Sequence, residues 1–561
     1  MPEFQNTAGL QTLIIVAVIA LLIPGAAEKF LRRVEQALSR FAERKRFALV
    51  VLFLSVILIR LVVLPLLPVP VPGIHDEFSY LLMADTFAHG RLANLPHPMW
   101  VSFETFHVNW LPRYASIYPP AQGAALAIGQ LLGHPWIGVL LSEAGMCAAI
   151  LWMLQGWMPA RWAFLGAVLA ALKLGVASYW INSYWGGACA ALGGALVLGA
   201  VPRIAKHAKI RDTILLGFGI AILANSRPYE GVLLCAPVAV WLVLWLAGKT
   251  KSAKPLHVRL GRVLLPLAVT LLLTAVFMGY YNWRLTGDPL LLPHVLNTRT
   301  YHTTGLFLWD HKKPEIHYRN RPFEVFYNML ERNSYDNTWP DVARVSEEKL
   351  VRYSLNYFWI GLLLAVPALP FLFRDRKIRL LLIIFLLVSV GVFCVVWCNA
   401  HYAAPLTCIV FALAVQGIRY LRTMQIGRRP VGIALSRAIV FLLLLDTSVN
   451  TARGNCDPLQ WQCLGNPNRA AITERLQHTP GKHLIMVRYE KHNHNIHEEW
   501  VHNGAEIDNA KVVWARELDP QQNEKLLAYF KDRNIWLLTP DAPTFDLVPY
   551  TSPDGALSPN K

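Results

Sequence analysis

The chain has 561 residues, 54% of them hydrophobic and only 16% charged, with a mean hydropathy of +0.36, so whole segments are apolar rather than merely striped. This excludes an ordinary soluble domain and indicates a polytopic membrane protein. The formal charge of +17 does not point to nucleic acid, because the basic residues fall in short clusters between apolar runs.

Spans long enough for a hydrocarbon core of about 30 Å are predicted near 9–25, 47–67, 136–157, 163–180, 187–201, 212–224, 231–247, 262–281, 353–373, 379–398, 402–418 and 431–449, about twelve in all. The first lacks a basic flank and a small-residue cleavage site, so it reads as a retained helix rather than a signal peptide. Loops 28–46, 202–211, 248–262, 374–379 and 419–430 are basic. Counting crossings puts all five on one face, which the positive-inside rule makes cytoplasmic. The exterior face then receives segments 68–135 and 282–352 and everything beyond about 450. The expected domains are an N-terminal helix with its basic loop (1–46), a transmembrane domain (47–449) and an exterior α/β domain (450–561).

In that last domain "HLIMVRY" (483–489), "AKVVWARE" (510–517) and "NIWLLTP" (534–540) predict strands, and 468–477 and 520–533 predict helices. Cys147, Cys189, Cys235, Cys394, Cys398 and Cys408 lie in apolar spans, where a buried free thiol is the ordinary state. Cys456 and Cys463 lie outside, where pairing and free thiols are both open. "EKHNHNIHEEWVHNG" (490–504) gathers His492, His494, His497 and His502, but its spacing fits neither a HExxH pair nor a Cys/His zinc pattern. A solvated loop is expected there. The long 282–352 connection, with "HVLNTRTYHTTG" (294–305), reads as a substrate lid.

The chemistry-bearing stretch is "IHDEFSY" (74–80), which follows "PLLPVPVPG" (65–73). Each of those prolines removes a backbone donor and restrains its predecessor, so the span ends there and delivers Asp76 and Glu77 to the membrane surface. A short interfacial helix is predicted from Asp76 as N-cap to a stop at Gly90. The plain alternative is that Asp76 only caps this helix and Glu77 only favours its positive end. "SFETFH" (102–107) adds Glu104 and His107, and "AALAIGQLLG" (124–133) is amphipathic but too short to span. Two surface-lying helices flanking a carboxylate suit a substrate with a greasy tail and a polar head.

Asp76, Glu77, Tyr80 and Ala84, with Gly90 closing the helix, followed by "YPPAQGAALAIGQLLG" (118–133), resemble the first external loop of class-C (GT-C) glycosyltransferases. The likeness is to bacterial members that use polyprenyl-phosphate sugars, such as the aminoarabinose and mannosyl transferases. "NAHYAAPLTCIVFAL" (399–413) resembles a later element of that group, with His401 where the group carries arginine. The resemblance implies a GT-C-like α-helical polytopic fold with amphipathic helices in the first exterior loop, plus the small C-terminal α/β domain. It also implies a hexosyl- or pentosyltransferase taking sugar from a polyprenyl-phosphate donor to a glycan, lipid or protein acceptor. Its place would be the periplasmic side of a bacterial inner membrane, with membrane lipids as partners and no nucleic acid.

An inverting transfer needs one base and positive charge at the leaving phosphate. The resemblance makes Asp76 the base, with Glu77 or Glu104 as a second acid that orients the acceptor or holds a divalent cation; otherwise both are solvated loop carboxylates. No resident cofactor is identified. Arg227, in "NSRPYEG", suits bidentate phosphate contact, the alternative being an arginine that snorkels to headgroups. His401 with Tyr402, and Arg113, are further candidates, loop packing being the plainer role for Arg113. Tyr80 and His107 are expected to line the substrate site, and Tyr184 and Trp185, in the aromatic turn "YWINSYWGG", are either interfacial anchors or exposed faces for stacking on sugar. Two rivals remain. A transporter or flippase of an amphipathic substrate shares the helix number but tends to hold its charges at mid-membrane. An oligosaccharide polymerase or ligase shares the large exterior loop.

Overall fold

The computed structural model describes residues 2–23, 25, 27–397, 399–456, 463, 465–490, 494–542 and 547–550, with side chains from residue 9; Cys398 and His492 fall outside them. A helix stands at each of the twelve expected positions. Six are long and apolar enough to cross a membrane: Pro135–Trp157, Ala188–His207, Pro228–Leu246, Leu256–Thr286, Ala400–Leu421 and Val431–Ala452. A seventh is counted if Trp339–Tyr357 and Ile360–Arg374, bent by 99° at their junction, form one span. The expected twelve are therefore not all met by length and composition. Ala160–Leu174, Ile210–Ala224 and Arg379–Phe393 have only 15 residues each, and Lys45–Val62 carries Lys45, Arg46 and Arg60.

The main core lies where Pro135–Trp157 and Ala188–His207 pack side by side, and it is built from small residues such as Ala144, Ala191 and Ala195 at 0% exposure. Small side chains let helix backbones approach closely where lipid offers no hydrophobic drive to pack. By contrast Leu256–Thr286 turns most of its length outward, exposing Leu265, Leu272 and Val276.

Loop 68–135 carries the helices His75–Ala88 and Pro120–Leu131 and a small antiparallel ribbon, β1 (Val108–Asn109) with β2 (Ala115–Ser116). Loop 282–352 is tied to it: Asn109 Nδ2 donates to Pro293 O at 2.9 Å, and Asn297 Nδ2 to Asn109 Oδ1 at 3.1 Å.

The C-terminal region forms the expected α/β unit. Its sheet runs β4 (Val512–Arg516), β3 (Lys482–Val487), β5 (Arg533–Leu538), β6 (Val548–Pro549). The first three strands are parallel and β6 is antiparallel. Helix Pro467–His478 precedes β3, helix Pro520–Tyr529 links β4 to β5, and Cys456 and Cys463 are disulfide-bonded. The unit seats directly on helix His75–Ala88. Asn466 N donates to Pro72 O, Ala505 N to Asp85 Oδ2 and Tyr114 OH to Asn503 O. A Cβ on Gly73 would come within 2.5 Å of the Gly465 carbonyl carbon, and one on Gly465 within 2.2 Å of Val71 O. Both glycines are therefore required by the close backbone crossing.

Candidate active site at the membrane edge

The extended prolines bring the chain to Gly73, and helix His75–Ala88 starts with Ile74 at the N-cap position. This corrects the expectation that Asp76 caps the helix. Glu77 takes that role: its Oε2 accepts Gly73 N at 2.9 Å and Ile74 N at 3.1 Å, and its Oε1 accepts Tyr184 N at 3.0 Å. Glu77 is 2% exposed, so it is not a solvated carboxylate. Burial pushes it up to about 7, against three backbone N–H groups that favour the charged form. It locks the proline turn to the 178–187 loop.

Relieved of capping, half-buried Asp76 turns to Tyr118, whose hydroxyl donates to Oδ1. Burial and the Asp76 charge hold the Tyr118 phenol well above its ordinary range, so it remains a donor. Tyr118 stacks on Tyr80 with centroids 4.4 Å apart. Asp76 Oδ2 has no hydrogen-bond partner among the described residues.

Across this group stands Arg227, at the N-terminal end of the Pro228–Leu246 span. Its guanidinium lies 4.3 Å from the centroid of the Tyr402 ring, and it has no hydrogen-bond or ion-pair partner among the described residues. Tyr80 and Tyr118 are within electrostatic reach of both Asp76 and Arg227. An acid and a cation from segments about 150 residues apart, each with uncommitted polar atoms, thus flank the same two tyrosines.

His401 belongs to the same pocket but not as a free cation. It is 2% exposed, its backbone N donates to Tyr179 OH, and its Nδ1 lies 3.0 Å from that hydroxyl. Trp185 packs edge-on against its ring at 4.9 Å. Tyr184 and Trp185 are each 2% exposed, so the reading of exposed stacking faces is corrected: Tyr184 OH is bonded to Pro70 O and Trp185 backs His401.

Half-buried His107 borders Asp76 electrostatically, and burial holds its imidazole below the ordinary value, with Asp76 opposing. It adopts φ 58°, a left-handed conformation costing a non-glycine residue roughly 1–2 kcal/mol. Its Nδ1 is shut off from solvent with no partner among the described residues. Ser79 Oγ donates to its carbonyl at 2.6 Å.

Glu104 stands apart. It is 2% exposed and accepts from Tyr301 OH at 2.9 Å and Asn320 Nδ2 at 3.2 Å, with Arg319 at 3.6 Å. Burial raises its pKa. It joins loop 68–135 to loop 282–352 instead of sharing the Asp76 pocket. Arg113 is half-buried and has no hydrogen-bond or ion-pair partner among the described residues.

Three residues that sequence reading did not assign to the site complete the surroundings. Tyr118 was visible only as part of a motif. His294, from the expected lid, lies within electrostatic reach of Arg227 and His107. His502, from the C-terminal unit, stacks on Phe78 with centroids 4.1 Å apart. His502 is buried and His494 is bonded to Asp541 at 3.0 Å, so the histidine-rich stretch is not uniformly solvated; of the three described histidines only His497 is exposed. Among the described residues, no group of three or more His, Cys, Asp or Glu side chains is arranged to hold a metal ion.

No family model matches the chain, and no curated protein matches it. It is similar to several solved structures. An oligosaccharyltransferase from Archaeoglobus fulgidus, tethered with an acceptor peptide, shares 12% identity over 85% of this chain and 64% of that one, with a TM-score of 0.47. ArnT from Cupriavidus metallidurans, bound to undecaprenyl phosphate, shares 15% over 90% and 96%, with a TM-score of 0.44. The arabinofuranosyltransferase AftD from Mycobacteria shares 14% over 90% and 36%, with a TM-score of 0.47. The chain thus spans less than two thirds of the oligosaccharyltransferase and about a third of AftD. These are class-C glycosyltransferases, the group the sequence motifs resemble. Overlaps this loose assign no activity to the chain.

Proposed function

We propose that this protein is an integral-membrane inverting glycosyltransferase that moves a sugar from a polyprenyl-phosphate carrier to an acceptor, with Asp76 as general base. The observation that carries the reading is that a carboxylate with one oxygen unspent, Asp76, and a guanidinium with no hydrogen-bond partner among the described residues, Arg227, both lie within electrostatic reach of Tyr80 and Tyr118. Charged groups that are half-buried yet leave polar atoms uncommitted are where a ligand can complete the set.

The chemistry follows from the arrangement. An acceptor hydroxyl attacks the anomeric carbon as the bond to the phosphate oxygen breaks, and the electron pair leaves with the polyprenyl phosphate. Asp76 Oδ2 takes the hydroxyl proton while Tyr118 holds Oδ1 in place. Arg227 receives the phosphate in its planar fork, and Tyr402 beneath it fixes the fork's plane. His401, braced by Tyr179 and Trp185, serves as a neutral donor beside the phosphate. Tyr80 and His107 wall the sugar, and Glu77 positions Asp76 by fixing the start of its helix. Glu104 and Arg113 take no part in the proton transfer. The carrier's tail stays in lipid, and the site opens on the periplasmic side of a bacterial inner membrane.

The test is reconstitution of the full chain in vesicles with a panel of polyprenyl-phosphate sugars and crude envelope acceptors. Wild type releases polyprenyl phosphate and forms a new glycosidic bond; Asp76→Asn binds the lipid but releases none. Turnover unchanged in Asp76→Asn removes the base. Substrate flux across sealed vesicles without a new bond makes the protein a transporter.

A further inference from the structure

A second cavity, of about 540 Å³, opens between loop 282–352 and the C-terminal α/β unit. That is within the size range of small-molecule sites, roughly 300–1,000 Å³. Three arginines line it, Arg319, Arg321 and Arg516, and so do three acids, Glu490, Glu517 and Asp519. Asn320 and Gln522 add amides, and the Tyr489 ring, packed against His494 with centroids 4.0 Å apart and 5.1 Å from the Arg516 guanidinium, also lines it.

Arg516 is the telling member. It is 2% exposed, and its Nη2 donates to Glu499 Oε2 at 2.6 Å and to Glu104 O at 3.1 Å. Its Nε and Nη1 have no partner among the described residues. His494, bonded to Asp541 through Nδ1, likewise leaves Nε2 buried and without a partner among the described residues. Buried polar atoms are seldom left unpaired unless something else satisfies them.

The balance of cations and anions disfavours a polyanion such as a free phosphate ester, which a surplus of positive charge would mark. Its apolar lining, Val101, Pro322, Val325, Ile496 and Leu518, is interrupted by the charged and amide side chains and so does not suit a continuous acyl tail. Donors and acceptors interspersed with small apolar patches match a ligand whose every hydroxyl both donates and accepts and whose rings present C–H faces. The cavity also reaches the catalytic helix: Ile496 lines it, and the Ile496 carbonyl lies 3.0 Å from Nε2 of His75, the residue before Asp76.

We propose that this cleft is the binding site for a neutral oligosaccharide, the growing glycan whose terminal hydroxyl is glycosylated at Asp76. The proposal rests on the glycosyltransferase reading and narrows its acceptor from glycan, lipid or protein to glycan. Loop 282–352 and the C-terminal unit then act as two jaws, and Glu104 is the strut between them through Tyr301, Asn320 and the Arg516 contact to its carbonyl.

The test uses the full chain in nanodiscs without donor, with linear glucan, mannan and galactan trisaccharides, inorganic phosphate and an unstructured peptide as probes, read by saturation-transfer NMR. Arg321 is exposed at the rim and Gln522 is half-buried there, so an Arg321→Ala, Gln522→Ala double variant should keep the wild-type unfolding temperature. At least one trisaccharide is expected to bind wild type and Asp76→Asn equally and to bind the double variant roughly tenfold more weakly, the effect of losing a hydrogen bond to a charged group. Binding confined to phosphate or peptide, absence of binding by all three trisaccharides, or undiminished binding by the double variant overturns the proposal. If the cleft binds sugar while Asp76→Asn still transfers it, the base assignment falls and the cleft stands; loss of transfer in Asp76→Asn with no sugar in the cleft has the opposite meaning.

Discussion

Two regions of the molecule use the same ingredients, arginine and carboxylate, to opposite ends. Where helix Glu28–Glu43 meets the Val431–Ala452 span, Arg437 is bonded to both Glu28 and Glu35, and Arg422 reaches Glu35 at 2.6 Å. Each of these four charges has its counter-charge. Near Asp76, Arg227 lies against the face of Tyr402 with Glu230 in electrostatic reach and Asp76 is hydrogen-bonded to Tyr118, but neither has an ion-pair partner among the described residues. Salt bridges of the first kind hold helices together; charges left uncommitted in a half-buried pocket are what a reaction uses.

This contrast can be broken at several points. The largest effect is expected for Asp76→Asn, with transfer falling by about 10²–10⁴-fold, the usual contribution of a general base, and an unchanged unfolding temperature. Next is Arg227→Ala, expected to lower kcat by roughly 10²–10³-fold, as removal of one preorganised stabiliser of developing charge does elsewhere, and to weaken polyprenyl-phosphate binding in a vesicle pull-down. If Arg227→Ala unfolds the protein instead, Arg227 belongs with Arg437 among the structural arginines.

Glu77→Gln should act on stability. An amide cannot accept at both ends, so at least one of the Gly73, Ile74 and Tyr184 N–H groups loses its partner, a cost of about 1–3 kcal/mol visible in thermal unfolding in detergent. The same variant sharpens the pH dependence. Because burial raises Glu77 to about 7 from 4.5, the folded state holds its proton more tightly than the unfolded one. Its contribution is fully present below pH 4.5 and is lost as pH rises through 7. Wild type should therefore lose more stability than Glu77→Gln between those limits. The smallest change is expected for Arg437→Ala: its partners Glu28 and Glu35 are 30% and 36% exposed, so about 1 kcal/mol or less, with transfer unaffected.

Much of the local structure was legible because it obeys short-range rules. The prolines at 65–72 end the span, alternation in "HLIMVRY" marks a strand, and apolar runs mark helices. Span length was less legible, since a run such as 163–180 reads as one apolar stretch whereas the helix stops at Gly175. The capping of helix His75–Ala88 was misread for a related reason. Asp76 and Glu77 are adjacent and chemically alike, and only the backbone path decides which one folds back on Gly73.

The sequence by itself determined the membrane character, the twelve helical positions, the α/β unit and the placing of an acid pair beside the first proline break, because hydropathy, periodicity and proline act over a few residues. Only the tertiary structure decided that Asp76 pairs with Tyr118, that Arg227 lies within reach of Tyr118 and Tyr80, that Tyr184 and Trp185 are interior, and that Arg516 lines a separate cleft. Those outcomes depend on which distant segments share a volume, and no local rule carries that information across the 42 residues between Asp76 and Tyr118.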